Sequence, residues 1–124
     1  MPKTILTIEN TPEVRQIIVD IVESLGYNCL EANNVRQGLE VLQNEIVDLI
    51  LLDIHLGGVR GNDFLKYIRD QGIQIPVIII SGYLQKDVVK EVAGLDVKAV
   101  LPKPIRIKRF AEEIEKALNP ETSV

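Results

Sequence analysis

Apolar residues in this chain follow two kinds of pattern that take turns along its length. Short, nearly solid aliphatic runs occupy residues 4–8, 47–52, 77–80 and 97–101, and a more polar counterpart occupies 27–32. Solid runs of this length read as strands buried on both faces, as in parallel sheets, and the mixed one as a more exposed strand. Between them, Val14, Ile17, Ile18, Ile21, Val22 and Leu25 recur at helical spacing, behind Thr11 as N-cap and Pro12 at the first helical position, and stop at Gly26. Asn34 caps a second helix to about Asn44, with Leu39 and Leu42 turned inward. Gly61-Asn62-Asp63 opens a third, which carries Phe64, Leu65 and Ile68 and closes at Gly72. A short helix over 85–93 follows, and then a final amphipathic one with Ile107, Phe110, Ile114 and Leu118, ended by Asn119-Pro120. Five strands alternating with five helices predict one doubly wound α/β domain, a parallel sheet covered on both faces through right-handed crossovers. The domain spans residues 1–120, and 121–124 are expected to form a flexible C-terminal tail.

Composition narrows the function. Aromatic residues make up only 4% of the 124, so the core is aliphatic. A net charge of −4 and a pI near 5.0 argue against direct nucleic-acid binding, which needs a clustered basic surface. The single Cys29 excludes an internal disulfide and a multi-cysteine metal site, fits a reducing compartment, and reads as a small buried hydrophobe. Glu9 interrupts the first apolar stretch too early for a signal peptide, and no segment approaches the ~18 apolar residues that span a bilayer. The expectation is a cytoplasmic protein without membrane contact.

Polar residues stand where the buried strands end. Glu9 and Asn10 follow the first, Asp53 the third, Ser81 the fourth, and Lys103 the fifth. In open α/β sheets these ends converge on one crevice, where ligands bind. Asp53 is the most telling, because it closes the run Leu49-Ile50-Leu51-Leu52 and opens a loop holding Gly57, Gly58 and Gly61. Burying an aspartate there costs free energy that packing alone does not return. Two carboxylates and an amide oxygen suit a hard cation such as Mg²⁺, and a hydroxyl and an ammonium beside them suit an anion bound to it. Each position also has a plainer reading: Asp53 and Ser81 as turn residues, Lys103 as a solvated lysine, Glu9 and Asn10 as caps of the next helix.

With Ile8-Glu9-Asn10, with Leu51-Leu52-Asp53-Ile54-His55-Leu56 followed by Gly61, with Val77-Ile78-Ile79-Ile80-Ser81-Gly82 and with Lys103-Pro104, the chain resembles the receiver domain of two-component response regulators over essentially its whole length. That resemblance implies the flavodoxin-like strand order 2-1-3-4-5. It implies that Asp53 accepts a phosphoryl group from a sensor histidine kinase or a histidine phosphotransfer protein, and that Mg²⁺ sits on Glu9, Asn10, Asp53 and the His55 backbone carbonyl. Ser81 would hydrogen-bond the phosphoryl oxygens, and Lys103 would pair with the phosphate behind a cis bond to Pro104. Such a domain is a self-phosphorylating acceptor, with autodephosphorylation open to it, rather than a turnover enzyme. Its output is altered protein binding through the face of the fourth helix, fifth strand and fifth helix, where Lys86, Lys90, Lys98, Arg106, Lys108 and Arg109 are interleaved with acids. A homodimer is compatible with it.

The chain departs from that family in places. The first loop normally has two acids, and here Asn10 takes the second place. Unit charges about 4 Å apart interact by roughly 4 kcal/mol at an effective dielectric of about 20, most of it offset by desolvation, so Mg²⁺ affinity is expected to fall about tenfold or more. Val100 stands at the switch position where the family has an aromatic, and Gly57-Gly58 replaces a turn that usually carries proline. His55, Gly82 and Tyr83 are placed to modulate the site, His55 by overlooking the phosphoryl group. The alternative function is a pseudo-receiver, an interaction module that keeps the fold without phosphate control. Flavin binding is disfavoured because Glu9-Asn10-Thr11-Pro12 is the wrong phosphate loop, and a haloacid-dehalogenase-type phosphatase because its Asp-x-Asp pair is missing.

Overall fold

A computed structural model describes residues 2–55, 60–82 and 85–120. Gly57, Gly58, Tyr83 and the tail at 121–124 lie outside these, so the expectations placed on them are not addressed by the structure. Ten elements alternate as read from the sequence: β1 (Thr4–Ile8), α1 (Pro12–Ser24), β2 (Asn28–Ala32), α2 (Val35–Asn44), β3 (Leu49–Asp53), α3 (Gly61–Asp70), β4 (Val77–Ser81), α4 (Gln85–Glu91), β5 (Val97–Pro102) and α5 (Ile107–Leu118). The strands form one parallel sheet in the order β2-β1-β3-β4-β5.

Alternation along the strands divides the core in two. Leu6, Ile8, Ile50, Leu52, Val77 and Ile79 meet Phe64, Leu65 and Ile68 of α3 and Val88 of α4 on one face. Ile5, Leu49, Leu51, Ile78, Ile80 and Leu101 meet Ile18, Ile21 and Val22 of α1 and Phe110, Ile114 and Leu118 of α5 on the other. β3 and β4 are buried at every position, which is why they read as solid aliphatic runs, whereas β2 lies at the sheet edge with Asn28 and Glu31 exposed.

Local details differ from the sequence reading at several points. β3 begins at Leu49 rather than residue 47, because the Asp48 side chain takes the Thr4 N–H (2.8 Å) that a strand carbonyl would otherwise accept. Thr11 occupies the N-cap of α1 but its hydroxyl makes no cap bond; its own N–H instead donates to Glu9 Oε2 (3.1 Å). Asn34 does cap α2, accepting from Gln37 N (2.9 Å). α4 ends at Glu91, before a turn with positive φ at Gly94 and Asp96, and β5 extends to Pro102, opposite Ser81. Cys29 is half-buried on β2, where burial, with Glu31 and Glu23 adding to it, pushes its thiol up to about 12. Among the described residues no helix is long and apolar enough to cross a membrane.

Candidate functional site

Three elements deliver one charged side chain each to the C-terminal rim of the sheet. Asp53 continues the Leu49, Leu51 series at the end of β3, Glu9 continues the Ile5, Thr7 series just past β1, and Lys103 follows β5. Lys103 Nζ lies 3.2 Å from Asp53 Oδ2 and 3.0 Å from Glu9 Oε1. Both carboxylates are almost wholly buried, Glu9 at 1% and Asp53 at 4% exposure. Two buried acids side by side are tolerable only with a cation between them, and Lys103 is that cation. Burial, with a smaller contribution from Asp53, raises the Glu9 pKa against the opposing pull of Lys103 and the Thr11 N–H. Burial alone would lower the Lys103 pKa, but hydrogen bonding and charge from Glu9 and Asp53 outweigh it and the ammonium is held above its ordinary value.

Neighbouring backbone fixes the Asp53 carboxylate. The His55 N–H donates to Asp53 Oδ1 (3.0 Å), and Lys103 N donates to Ser81 O (2.9 Å), which ties the lysine-bearing segment to the end of β4. The Lys103–Pro104 bond is cis. α3 starts hard against the same strand end: Gly61 N donates to Ile54 O (2.9 Å), and a Cβ on Gly61 would lie 2.6 Å from Asp53 O and 2.8 Å from Ile54 Cα. Only glycine allows that approach.

The donor set fits a hard divalent cation. Beyond its 3.0 Å ion pair with Lys103 Nζ, the buried Glu9 Oε1 has no further hydrogen-bond partner among the described residues. Thr7 Oγ1, two residues back on the same face, is likewise buried without a partner. No group of three or more His, Cys, Asp or Glu side chains gathers among the described residues. A cation here would rest on the carboxylates of Glu9 and Asp53 and on neutral oxygens, for which Asn10, exposed at the mouth, and the His55 carbonyl stand nearest in sequence. All of these are oxygen donors of the kind Mg²⁺ takes.

The remaining expected residues differ in burial. Ser81 is fully buried at the end of β4, and Gly82 after it is exposed. The His55 imidazole is half-buried, and burial, followed by the nearby Arg60, lowers its pKa. Val100 is partly buried on β5 opposite Ile79, packed towards the α3/α4 core. One site residue escaped the sequence reading. Arg15 donates to the Glu9 carbonyl through Nη1 (2.6 Å). The available signal was a cation in the first turn of a helix, where the macrodipole disfavours positive charge.

Comparison with known proteins gives a consistent picture. Residues 5–115 match the family model described as the response regulator receiver domain. The polar-differentiation response regulator DivK of Brucella anthropi is 29% identical over 120 residues, covering 95% of this chain and 98% of that protein. The phosphate regulon transcriptional regulatory protein PhoB of Pseudomonas aeruginosa is 32% identical, covering 94% of this chain but 52% of that protein, so the chain spans about half the length of such a regulator. Among solved structures, a CheY-like receiver domain protein from Methanospirillum hungatei superposes with a TM-score of 0.89 at 23% identity, covering 98% of this chain and 97% of that one, which shows the fold.

Proposed function

This chain belongs to the response regulator receiver domain family, and on that footing we propose that Asp53 is a phosphoacceptor, charged by a phosphohistidine donor in a Mg²⁺-dependent reaction that alters protein binding. The observation that carries this reading is the Glu9–Lys103–Asp53 cluster, in which a lysine reaches both buried carboxylates.

In this reading an Asp53 carboxylate oxygen attacks phosphorus, an O–P bond forms, and the P–N bond to the donor imidazole breaks. The electron pair stays on the imidazole nitrogen, which takes up a proton. Phosphoryl transfer asks mainly for positioning and charge neutralisation. The His55 N–H orients the acceptor, Lys103 supplies a point positive charge to the incoming phosphoryl oxygens, and the Ser81 hydroxyl sits at the adjacent strand end to hydrogen-bond one of them. Bound on Glu9, Asp53, Asn10 and the His55 carbonyl, Mg²⁺ would supply the further positive charge that brings two anions together. The domain acts as a stoichiometric acceptor in the cytoplasm, with a sensor kinase or phosphotransfer protein upstream and a protein partner at the α4–β5–α5 face downstream.

The exposed, neutral Asn10 favours a second reading, in which Lys103 stays paired with the two acids and the domain docks partners without phosphate. Intact-protein mass after incubation with phosphoramidate, a small donor with a P–N bond, separates the two. A gain of one phosphoryl group with Mg²⁺, absent with EDTA and absent in Asp53→Asn, is expected. No adduct under any condition leaves only the phosphate-independent module.

A further inference from the structure

Arg15 joins three parts of the chain that lie apart in sequence. From α1, its Nη1 donates to the Glu9 carbonyl (2.6 Å) and to Asn33 Oδ1 (3.1 Å), and its Nε faces Glu31 Oε1 (3.3 Å). Asn33 is in turn held by its own N–H donating to Gln37 Oε1 (2.6 Å). The Glu9 peptide is therefore fixed from both sides, its N–H by Ala32 O (3.0 Å) and its carbonyl by Arg15, while the carboxylate receives the Thr11 N–H. The Arg15 side chain is 19% exposed.

We propose that Arg15 is a positioning residue for the divalent cation, holding the Glu9 peptide so that its carboxylate stays beside Asp53. This rests on the metal-dependent function proposed above. Because Asn10 is neutral, Glu9 is the one acid the first loop can offer, and an error in its position is not made good by a second carboxylate. The planar guanidinium spans acceptors on two loops at once, which a lysine ammonium on a flexible stem does not. Groups that orient metal-binding carboxylates typically change affinity by about 10- to 100-fold when removed.

The test is an amide-resolved NMR titration of the full chain with MgCl₂, alongside its melting temperature. Arg15→Met and Arg15→Lys are both expected to weaken the Mg²⁺ dissociation constant about tenfold or more. Asn33→Ala, which removes one arm of the clamp, should fall between these and the wild type. Glu31→Gln, which removes only the half-exposed ion pair, should stay within about threefold of the wild type. Wild-type affinity in Arg15→Met, full rescue by Arg15→Lys, or an equal loss in Glu31→Gln overturns the inference. Should Arg15→Met fail to fold, the contrast between Asn33→Ala and Glu31→Gln decides it. A wild type that does not bind Mg²⁺ at all removes the proposed function itself, a result distinct from any of these.

Discussion

At the rim where the segments following β1, β3 and β5 converge, one ammonium reaches two buried carboxylates at 3.0 and 3.2 Å. Beyond β4, Val89, Val92, Val97 and Val100 instead line an open groove of about 600 Å³ between α4 and β5, with Val89 half exposed. The first region has essentially one workable arrangement, because a buried charge moved away from its partner costs several kcal/mol. The second is apolar contact without direction, and many arrangements of it differ little in free energy. A receiver needs both qualities: chemistry that does not drift, next to a surface that can be reshaped.

Lys103→Met should break the contrast most severely. Phosphorylation by a small donor is expected to slow by about 10²-fold or more, as for loss of one preorganised electrostatic group. The variant should also be less stable at neutral pH by about 1–3 kcal/mol, short of the figure for a fully buried pair because Lys103 keeps 26% exposure. The pH dependence follows from the shifts. Stability that Lys103 contributes through its raised pKa is present below the ordinary lysine value of 10.5 and is lost as pH rises through the folded value. Glu9, also raised, contributes stability below 4.5 that is lost as pH climbs through its folded value. The gap in stability between wild type and variant should therefore narrow above pH 10.5 and again in acid, which urea unfolding across pH would measure.

Gly61→Ala and Val100→Tyr set the two regions directly against each other. The alanine methyl meets backbone atoms of Asp53 and Ile54 that cannot step aside, and about 1–3 kcal/mol of stability should be lost together with acceptor activity. The tyrosine adds far more volume, yet it enters an open groove and should cost less than about 1 kcal/mol. Thermal unfolding of both variants tests this ordering, and a Val100→Tyr more damaging than Gly61→Ala would refute it.

The smallest effect is expected at His55, whose neighbour Arg60 pairs with Glu91 (2.8 Å) across the seam between the regions. Its pKa is lowered, so the stability it contributes is present above 6.5 and lost as pH falls below that value. An imidazole proton titration by NMR should find its midpoint under 6.5; a midpoint above it would mean that the ring pairs with an acid instead.

How much of this was readable from the sequence follows the same division. β3 and β4 were legible because strands buried on both faces leave unbroken aliphatic runs, and Asp53 was legible because a carboxylate ends such a run. Asn34 was legible as a cap because its bond is local, to Gln37. Thr11 misled because residue type marks it as a cap, whereas its hydroxyl makes no cap bond and only its N–H is engaged, by Glu9 Oε2. The partners of Arg15 were not legible, because Glu9, Glu31 and Asn33 come together only through the β1–β2 pairing; its place in the first helical turn was the only hint. The His55 amide was not legible, because backbone N–H groups leave no trace in residue identity. The half-buried Cys29 was overstated as core, because edge strands bury only part of each face.

The most direct test of the central claim, that the charged cluster is a phosphoryl-binding site coupled to the groove beside α4, is a ¹H–¹⁵N spectrum with and without beryllofluoride and Mg²⁺. Shifts are expected at the amides of Glu9, Asp53, Ser81 and Lys103, continuing into Val88–Val100, and absent in Asp53→Asn. An unchanged wild-type spectrum would contradict the claim outright, and shifts confined to the charged end would leave a phosphate site with no switch attached.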